Sequence, residues 1–179
     1  LYRHEPAARY ADYYETALYN HILSSQHPEH GGFVYFTPIR PRHYRVYSQP
    51  ESCFWCCVGT GMENHVKYGT FIYAHAGDTL YVNLFAASTL DWRELGVTLR
   101  QETRFPDEPT TRITLSTPSP RSFTLRLRHP SWLAADSLTV RVNGTVQPVT
   151  SRPSSYASLT REWRDGDQIE IELPMRTTV

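Results

Sequence analysis

The chain has 179 residues, 40% hydrophobic and 20% charged, ordinary proportions for a globular protein and enough length for one full domain or two small ones. Eighteen Lys and Arg balance eighteen Asp and Glu, so the sequence lacks the positive surplus with which proteins usually hold nucleic acid or an anionic membrane. No apolar run approaches the roughly 18 residues of a membrane-spanning helix, and the first residues carry no signal-peptide pattern.

The opening residues, Leu-Tyr-Arg-His-Glu, lack an initiator methionine and read as the middle of a helix, so a segment of a longer chain is expected. Residues 1–24 are predicted helical. Tyr10, Tyr13, Tyr14, Ala17, Leu18, His21 and Ile22 recur at spacings of three and four and form one apolar-aromatic face. Pro28 and the Gly31-Gly32 pair end it. Residues 33–50 hold Pro38, Pro41, Pro50 and many aromatics. An extended piece over 32–36 followed by an irregular loop is predicted, and loops on a rigid scaffold are where sites tend to lie. Helical spacing resumes over 60–74, where Met62, Val66, Ile72 and Tyr73 could share a face, and Gly77-Asp78 closes it.

From Leu80 the period changes from helical to alternating. Short strands are predicted at 80–85, 95–103, 111–115, 123–127, 138–142 and 168–173. Asn143-Gly144 suits a type I′ hairpin, in which both central residues take positive φ, and Asp165-Gly166 is given the same role before the last strand. Six or more short strands with turns between them predict an antiparallel sandwich. The boundary is placed at residues 75–79, where period and composition shift together.

The chemistry concentrates in residues 51–69. All three cysteines, Cys53, Cys56 and Cys57, lie there, followed by Glu63, Asn64, His65 and Lys67. Three is an odd number, and a disulfide between sequence neighbours is strained, so a disulfide framework is disfavoured. Two readings stay open from the residues themselves. Free cysteine is among the most buried residue types, and Phe-Trp-Cys-Cys can be plain core. Cys53-x-x-Cys56 also has the spacing of a zinc knuckle or redox pair, though no second such motif follows. Adjacent thiolates can ligate zinc only if other ligands come from elsewhere. His65 and Glu63 are ligands by type, but each reads equally well as a structural side chain on a helix.

Four segments carry a family resemblance: Asp12-Tyr-Tyr-Glu-Thr-Ala-Leu-Tyr-Asn-His-Ile-Leu, Tyr35-Phe-Thr-Pro, Phe54-Trp-Cys-Cys-Val-Gly-Thr-Gly-Met-Glu-Asn-His and Leu80-Tyr-Val-Asn-Leu-Phe. Together they closely resemble the β-L-arabinofuranosidases of glycoside hydrolase family 127 and its relative, family 146. The likeness extends over nearly the whole chain, including Val142-Asn-Gly and Trp163-Arg-Asp-Gly-Asp. It implies an α+β chain in which residues 1–76 form the C-terminal part of an (α/α)₆ catalytic barrel and 77–179 form a β-sandwich module. It also implies a retaining exo-glycosidase that releases terminal β-linked L-arabinofuranose from glycans, with a zinc-bound cysteine as nucleophile. On this resemblance Cys56 matches the nucleophile, Cys56 and Cys57 match two of four zinc ligands, and Tyr35 falls where a family tyrosine approaches the sugar. The other two ligands, a Glu-x-Cys motif, and the acid/base glutamate are expected upstream of the segment that matches residues 1–24. The chain by itself is therefore expected to lack turnover. Cys53 matches no family ligand, and Glu51, Glu63 and His65 match positions read as structural or supporting. Two rival readings stand beside this one: a non-catalytic sugar-binding or structural member of the same fold, and a redox or structural zinc protein that uses Cys53-x-x-Cys56.

Overall fold

The structure is a computed structural model and describes residues 1–177. Thr178 and Val179, the last two positions of the predicted β module, lie outside the described residues. The chain forms two compact units: Leu1–Asp12 with Phe71–Val179, and Tyr13–Thr70. Among the described residues no helix is long and apolar enough to cross a membrane.

The first unit is built on ten strands: β1 (Tyr73–Ala76), β2 (Thr79–Val82), β3 (Ser88–Trp92), β4 (Val97–Thr103), β5 (Thr110–Ser116), β6 (Arg121–His129), β7 (Thr139–Val142), β8 (Thr145–Val146), β9 (Ser155–Trp163) and β10 (Gln168–Glu172). They form a four-stranded sheet in the order β1-β2-β6-β9 and a six-stranded sheet in the order β3-β4-β5-β10-β7-β8. Each predicted strand is present, and β1, β3, β8 and β9 are added to them. The expectation of purely antiparallel pairing is corrected at one place: β2 and β6 run parallel, with Leu80 opposite Leu125. The remaining strand pairs are antiparallel.

Alternation along these strands places one side-chain set inward. Val97 and Leu99 on β4, Ile113 and Leu115 on β5, and Ile169 and Ile171 on β10 are fully buried. They join one hydrophobic cluster with Leu80 and Val82 of β2, Phe123, Leu125 and Leu127 of β6, and Leu159 and Trp163 of β9. Burying an aliphatic side chain of this size stabilises by about 1.5–3 kcal/mol, so this shared cluster is the main source of the unit's stability.

The two turn predictions have different outcomes. Asn143 and Gly144 have φ of 50° and 79° between β7 and β8, and Val142 faces Thr145, as the type I′ hairpin requires. Asp165-Gly166 is not a hairpin. Gly166 does take positive φ, 78°, but β9 and β10 belong to different sheets, so this turn carries the chain from one sheet to the other. Asp167 holds the crossover by accepting from Asn143 Nδ2 at 2.8 Å and from the backbone N–H of Arg164 at 2.9 Å.

Residues 1–12 add a polar core to this unit. Arg128 is fully buried, and its guanidinium donates to Asp12 Oδ1 at 2.6 Å and to the carbonyl of Asn83 at 2.5 Å. Asp12 also accepts from the Ser131 backbone N–H at 3.1 Å and from the Ser154 hydroxyl at 2.6 Å. Asn83 Oδ1 accepts from Tyr2 at 2.9 Å and from Tyr156 at 2.6 Å. Burial drives the Tyr156 hydroxyl far above the usual phenol range, with the Tyr2 hydrogen bond adding to it.

The predicted first helix is shorter than expected. α1 spans Ala8–Ala17 and continues as a π-helical turn, Leu18–Ile22, and a 3₁₀ turn, Leu23–Ser25. It starts only after Pro6, because the residue before a proline avoids the helical region and proline itself offers no N–H. The period was read correctly but the face was not. Ala8, Ala11, Asp12, Glu15 and Leu18 are the buried positions, whereas Tyr13 is 78% exposed.

Candidate active site

The Tyr13–Thr70 unit holds every predicted site residue. Its second helix, α2, spans Cys56–Lys67, four residues earlier than the spacing predicted. A short helix α3 follows over Gly69–Ile72, and Tyr73, assigned to the helix by spacing, instead opens β1. Trp55 is extended (φ −80°, ψ 158°) and precedes the first turn. The cysteine doublet therefore stands on the opening residues of a helix rather than in the loop before it.

Glycine within α2 is explained at one position. A Cβ on Gly61 would lie 2.4 Å from Phe33 Cδ1, so only glycine lets the helix approach that ring. Phe33 begins the extended segment that carries Tyr35. This segment is held on both sides: Phe33 bridges to Gln26 and Val34 to Tyr47. The Phe33 N–H donates to Ser48 Oγ at 2.9 Å, the Ser48 N–H returns to the Phe33 carbonyl at 2.9 Å, and the Val34 N–H donates to the Ser25 carbonyl at 3.0 Å. Phe33 and Val34 are buried, and Tyr35 is 46% exposed.

The structure brings together the three residues singled out in the sequence. Cys56 Sγ and Cys57 Sγ are 3.9 Å apart, with Cys56 exposed and Cys57 half-buried. The neighbouring thiols, Cys56 first and then Cys57, raise the Tyr35 hydroxyl above its ordinary value, and the hydrogen bond between Tyr35 and Cys56 acts in the same direction. Partial burial pushes the Cys57 thiol up, and its contact with Cys56 adds to this. A phenol that stays protonated beside a thiol is placed to donate to the sulfur once that sulfur carries charge.

The donor pair fits half of a zinc site. Two thiolates at a Zn–S length of about 2.3 Å in a tetrahedron lie about 3.8 Å apart, and the observed sulfur separation matches this. Among the described residues no group of three or more His, Cys, Asp or Glu could hold a metal ion, so Cys53, Glu51, Glu63 and His65 do not complete the pair. Cys53 is held elsewhere, its N–H bonded to the Gln49 carbonyl at 3.1 Å. His65 is turned to its own helix, with Nδ1 2.8 Å from the Gly61 carbonyl, and Glu63 is exposed.

Sequence reasoning missed the cleft beside this pair. Tyr35, Phe36, Pro38, Tyr44, Val46 and Trp55 line an open cavity of about 630 Å³. Trp55 meets Tyr35 edge-on at 6.1 Å between ring centres, and Phe36 lies 4.5 Å from Tyr35. The signal was present in the ring and proline content of residues 33–50, but it follows no period that would assign the rings to one face.

The candidate site is thus a helix that opens on paired thiols, with Tyr35 and an aromatic cleft beside it. Residues 79–175 match the family model described as beta-L-arabinofuranosidase, GH127 middle domain. Residues 1–70 match the beta-L-arabinofuranosidase, GH127 catalytic domain. The chain belongs to the GH127 β-L-arabinofuranosidase family. Three solved structures are similar to it. A GH127 β-L-arabinofuranosidase from Geobacillus stearothermophilus T6 is 29% identical with a TM-score of 0.80, aligning 98% of this chain to 29% of that one. A GH127 β-arabinofuranosidase is 25% identical with a TM-score of 0.84, over 98% of this chain and 30% of that one. A protein described as a glycoside hydrolase is 28% identical with a TM-score of 0.79, over 96% and 30%. The chain thus spans about three tenths of the solved chains it matches. Comparison with curated protein sequences gives no match.

Proposed function

We propose that the chain is part of a retaining glycosidase that removes terminal β-linked L-arabinofuranose from glycans, with Cys56 as nucleophile. The observation that carries this is the Cys56–Cys57 pair at the start of α2, with 3.9 Å between the sulfurs. In this reading residues 1–76 belong to an (α/α)₆ catalytic barrel and residues 77–179 to a β-sandwich module.

Cys56 and Cys57 would hold a zinc ion together with ligands that this chain does not supply. Bound zinc would keep both thiols deprotonated at neutral pH, which a free cysteine, with a pKa of about 8.5, is not. The Cys56 thiolate attacks the anomeric carbon of the sugar. A carbon–sulfur bond forms as the glycosidic carbon–oxygen bond breaks, and the leaving oxygen keeps the bonding pair and takes a proton. Water then attacks the same carbon, gives up a proton and releases the thiolate, so two inversions give net retention. Tyr35 would donate to the sulfur while it carries charge, before it attacks and again as it is released. No residue of the chain is assigned to the proton transfers.

The rival reading is a non-catalytic sugar-binding or structural member of the same fold. One experiment separates the two. The protein carrying this chain is incubated with 4-nitrophenyl β-L-arabinofuranoside, and release of nitrophenol, bound zinc and a pentosyl adduct on the Cys56 peptide are measured. Turnover with the adduct on Cys56 is expected. Sugar binding without turnover would leave the non-catalytic reading standing. The chain of residues 1–179 expressed by itself is expected to bind zinc weakly and to show no turnover.

A further inference from the structure

The cleft beside Cys56 has a chemistry that its role as a boundary of the sulfur pair does not explain. At about 630 Å³ it lies within the roughly 300–1,000 Å³ of ordinary small-molecule sites. A single pentose ring would leave most of that space empty. The lining is apolar and ring-rich: Phe36 and Tyr44 are 77% and 78% exposed, and Val46 is 57% exposed. Polar groups are few, and on the side chains they are limited to the Tyr35 and Tyr44 hydroxyls, the Trp55 indole N–H and the imidazole of His43, which also lines the cleft. A surface of this kind recognises a flat apolar face by stacking and does not read a pattern of hydroxyls, because reading hydroxyls needs paired donors and acceptors at fixed positions. It is also continuous with the reacting sulfur. Tyr35 presents its hydroxyl to Cys56 and its ring to the cleft, and Trp55 immediately precedes Cys56 in the chain.

We propose that the Tyr35–Trp55 cleft is the aglycone site, and that it selects leaving groups with a flat apolar face, such as an aryl ring, over small aliphatic ones. This inference rests on the reading of Cys56 as nucleophile. It adds that substrate preference on the leaving-group side is set by Phe36 and Tyr44 through stacking. The selection falls on the leaving group because the furanose must present its anomeric carbon to Cys56, where Tyr35 supplies a polar contact. The remaining rings of the cleft carry little that could bond the hydroxyls of a sugar held by them alone.

The test compares 4-nitrophenyl with methyl β-L-arabinofuranoside in the protein carrying this chain. Wild type is expected to prefer the aryl glycoside in kcat/KM. Phe36→Ala and Tyr44→Ala should each lower the aryl-to-methyl ratio by about fivefold to tenfold, the value of one aromatic stacking contact. A thermal melt within a few degrees of wild type checks that neither variant removes core. Phe54→Ala is the control: Phe54 is 72% exposed but does not line the cleft, and its ratio should match wild type. An unchanged ratio in both cleft variants, with the rings instead packed against another segment of the protein, would overturn the proposal. If wild type hydrolyses neither glycoside, the glycosidase reading fails, and binding is then read from Trp fluorescence. Tighter binding of the phenyl than of the methyl glycoside, lost in Phe36→Ala, still supports the cleft. Equal binding overturns it.

Discussion

The two units of this chain are stabilised in different ways. In the unit formed by residues 1–12 and 71–177, side chains from both sheets meet in one apolar cluster, and nearly every buried position follows from strand alternation. In the Tyr13–Thr70 unit the buried hydrophobics are Leu18, Phe33, Val34 and Val58, and the loop backbone is held by hydrogen bonds to Ser24, Ser25 and Ser48. One region spends its side chains on a core. The other leaves Phe36, Tyr44, Phe54 and Cys56 at the surface, where they can meet a ligand. A site needs exposed reactive groups on a fixed backbone, and here hydrogen bonds, most of them to backbone carbonyls, do the fixing that packing does in the sheets.

Substitutions can sharpen this contrast. The largest effect on activity is expected in the site unit. Cys56→Ser should lower turnover of the protein carrying this chain by at least about a thousandfold, because a hydroxyl is neither ionised near neutral pH nor a good zinc ligand. Cys57→Ser should lower both zinc content and rate, and Cys53→Ser should change little. Parallel measurements of kcat and bound zinc check all three, and a Cys53 requirement equal to that of Cys56 would invalidate the assignment.

The largest effect on stability is expected in the β unit. Asp12→Ala removes a 2.6 Å ion-pair partner of the fully buried Arg128 guanidinium, at a cost of about 3–5 kcal/mol in urea unfolding. Arg93→Ala breaks a 2.9 Å pair with Asp91 at the surface, where both side chains are more than half exposed, and should cost less than about 1 kcal/mol. Equal costs for the two would mean that Arg128 finds a second counter-charge when Asp12 is gone.

Smaller effects follow. Gly144→Val forces a branched side chain into φ of 79° and should cost about 1–3 kcal/mol, with activity per folded molecule unchanged. A stable but inactive variant would tie the hairpin to the site. The smallest effect concerns pH. Burial raises the Cys57 thiol, so its neutral form is the one the fold favours. That contribution to stability is complete below the thiol's unfolded pKa and is lost as pH rises through the higher folded value. In metal-free protein, iodoacetamide should therefore label exposed Cys56 several-fold faster than Cys57, and Cys57 labelling should rise at higher pH than in the denatured chain. Equal rates would mean that the doublet frays from the helix start.

Legibility in the sequence divides along the same line. Strands such as β4 and β10 could be read because a period of two needs no knowledge of the partner strand. β9 escaped because its buried positions, Ala157, Leu159 and Trp163, are separated by Ser, Thr and Arg, and Ala gives a weak signal. On α1 the tyrosines marked the wrong face. The buried stripe includes Asp12, whose reason for burial is Arg128, 116 residues away. No local pattern can reveal such a pair. The cysteine doublet was legible as chemistry, and its place on the first turn of α2 was not, since Cys and Gly are poor helix formers and the stretch 56–61 holds two of each. Tyr35 was located by resemblance, whereas Trp55, Phe36 and Tyr44 became a cleft only when the loop was seen folded.

The clasp of residues 1–12 on the β unit has a consequence for the order of folding. Tyr2 and Asp12 are synthesised well before Tyr156 and Ser154, which they bond across 154 and 142 residues. The parallel β2–β6 pair also joins residues 45 apart, Leu80 with Leu125. Contacts this distant carry the closure entropy of the whole intervening chain and form late. During synthesis the Arg128 guanidinium therefore has to remain hydrated until the sheets are assembled and the start of the chain returns to neutralise it. In pulse-labelled refolding the amides of β4, β5 and β10 should gain protection first, and the Ser131 N–H, bonded to Asp12, should gain it last.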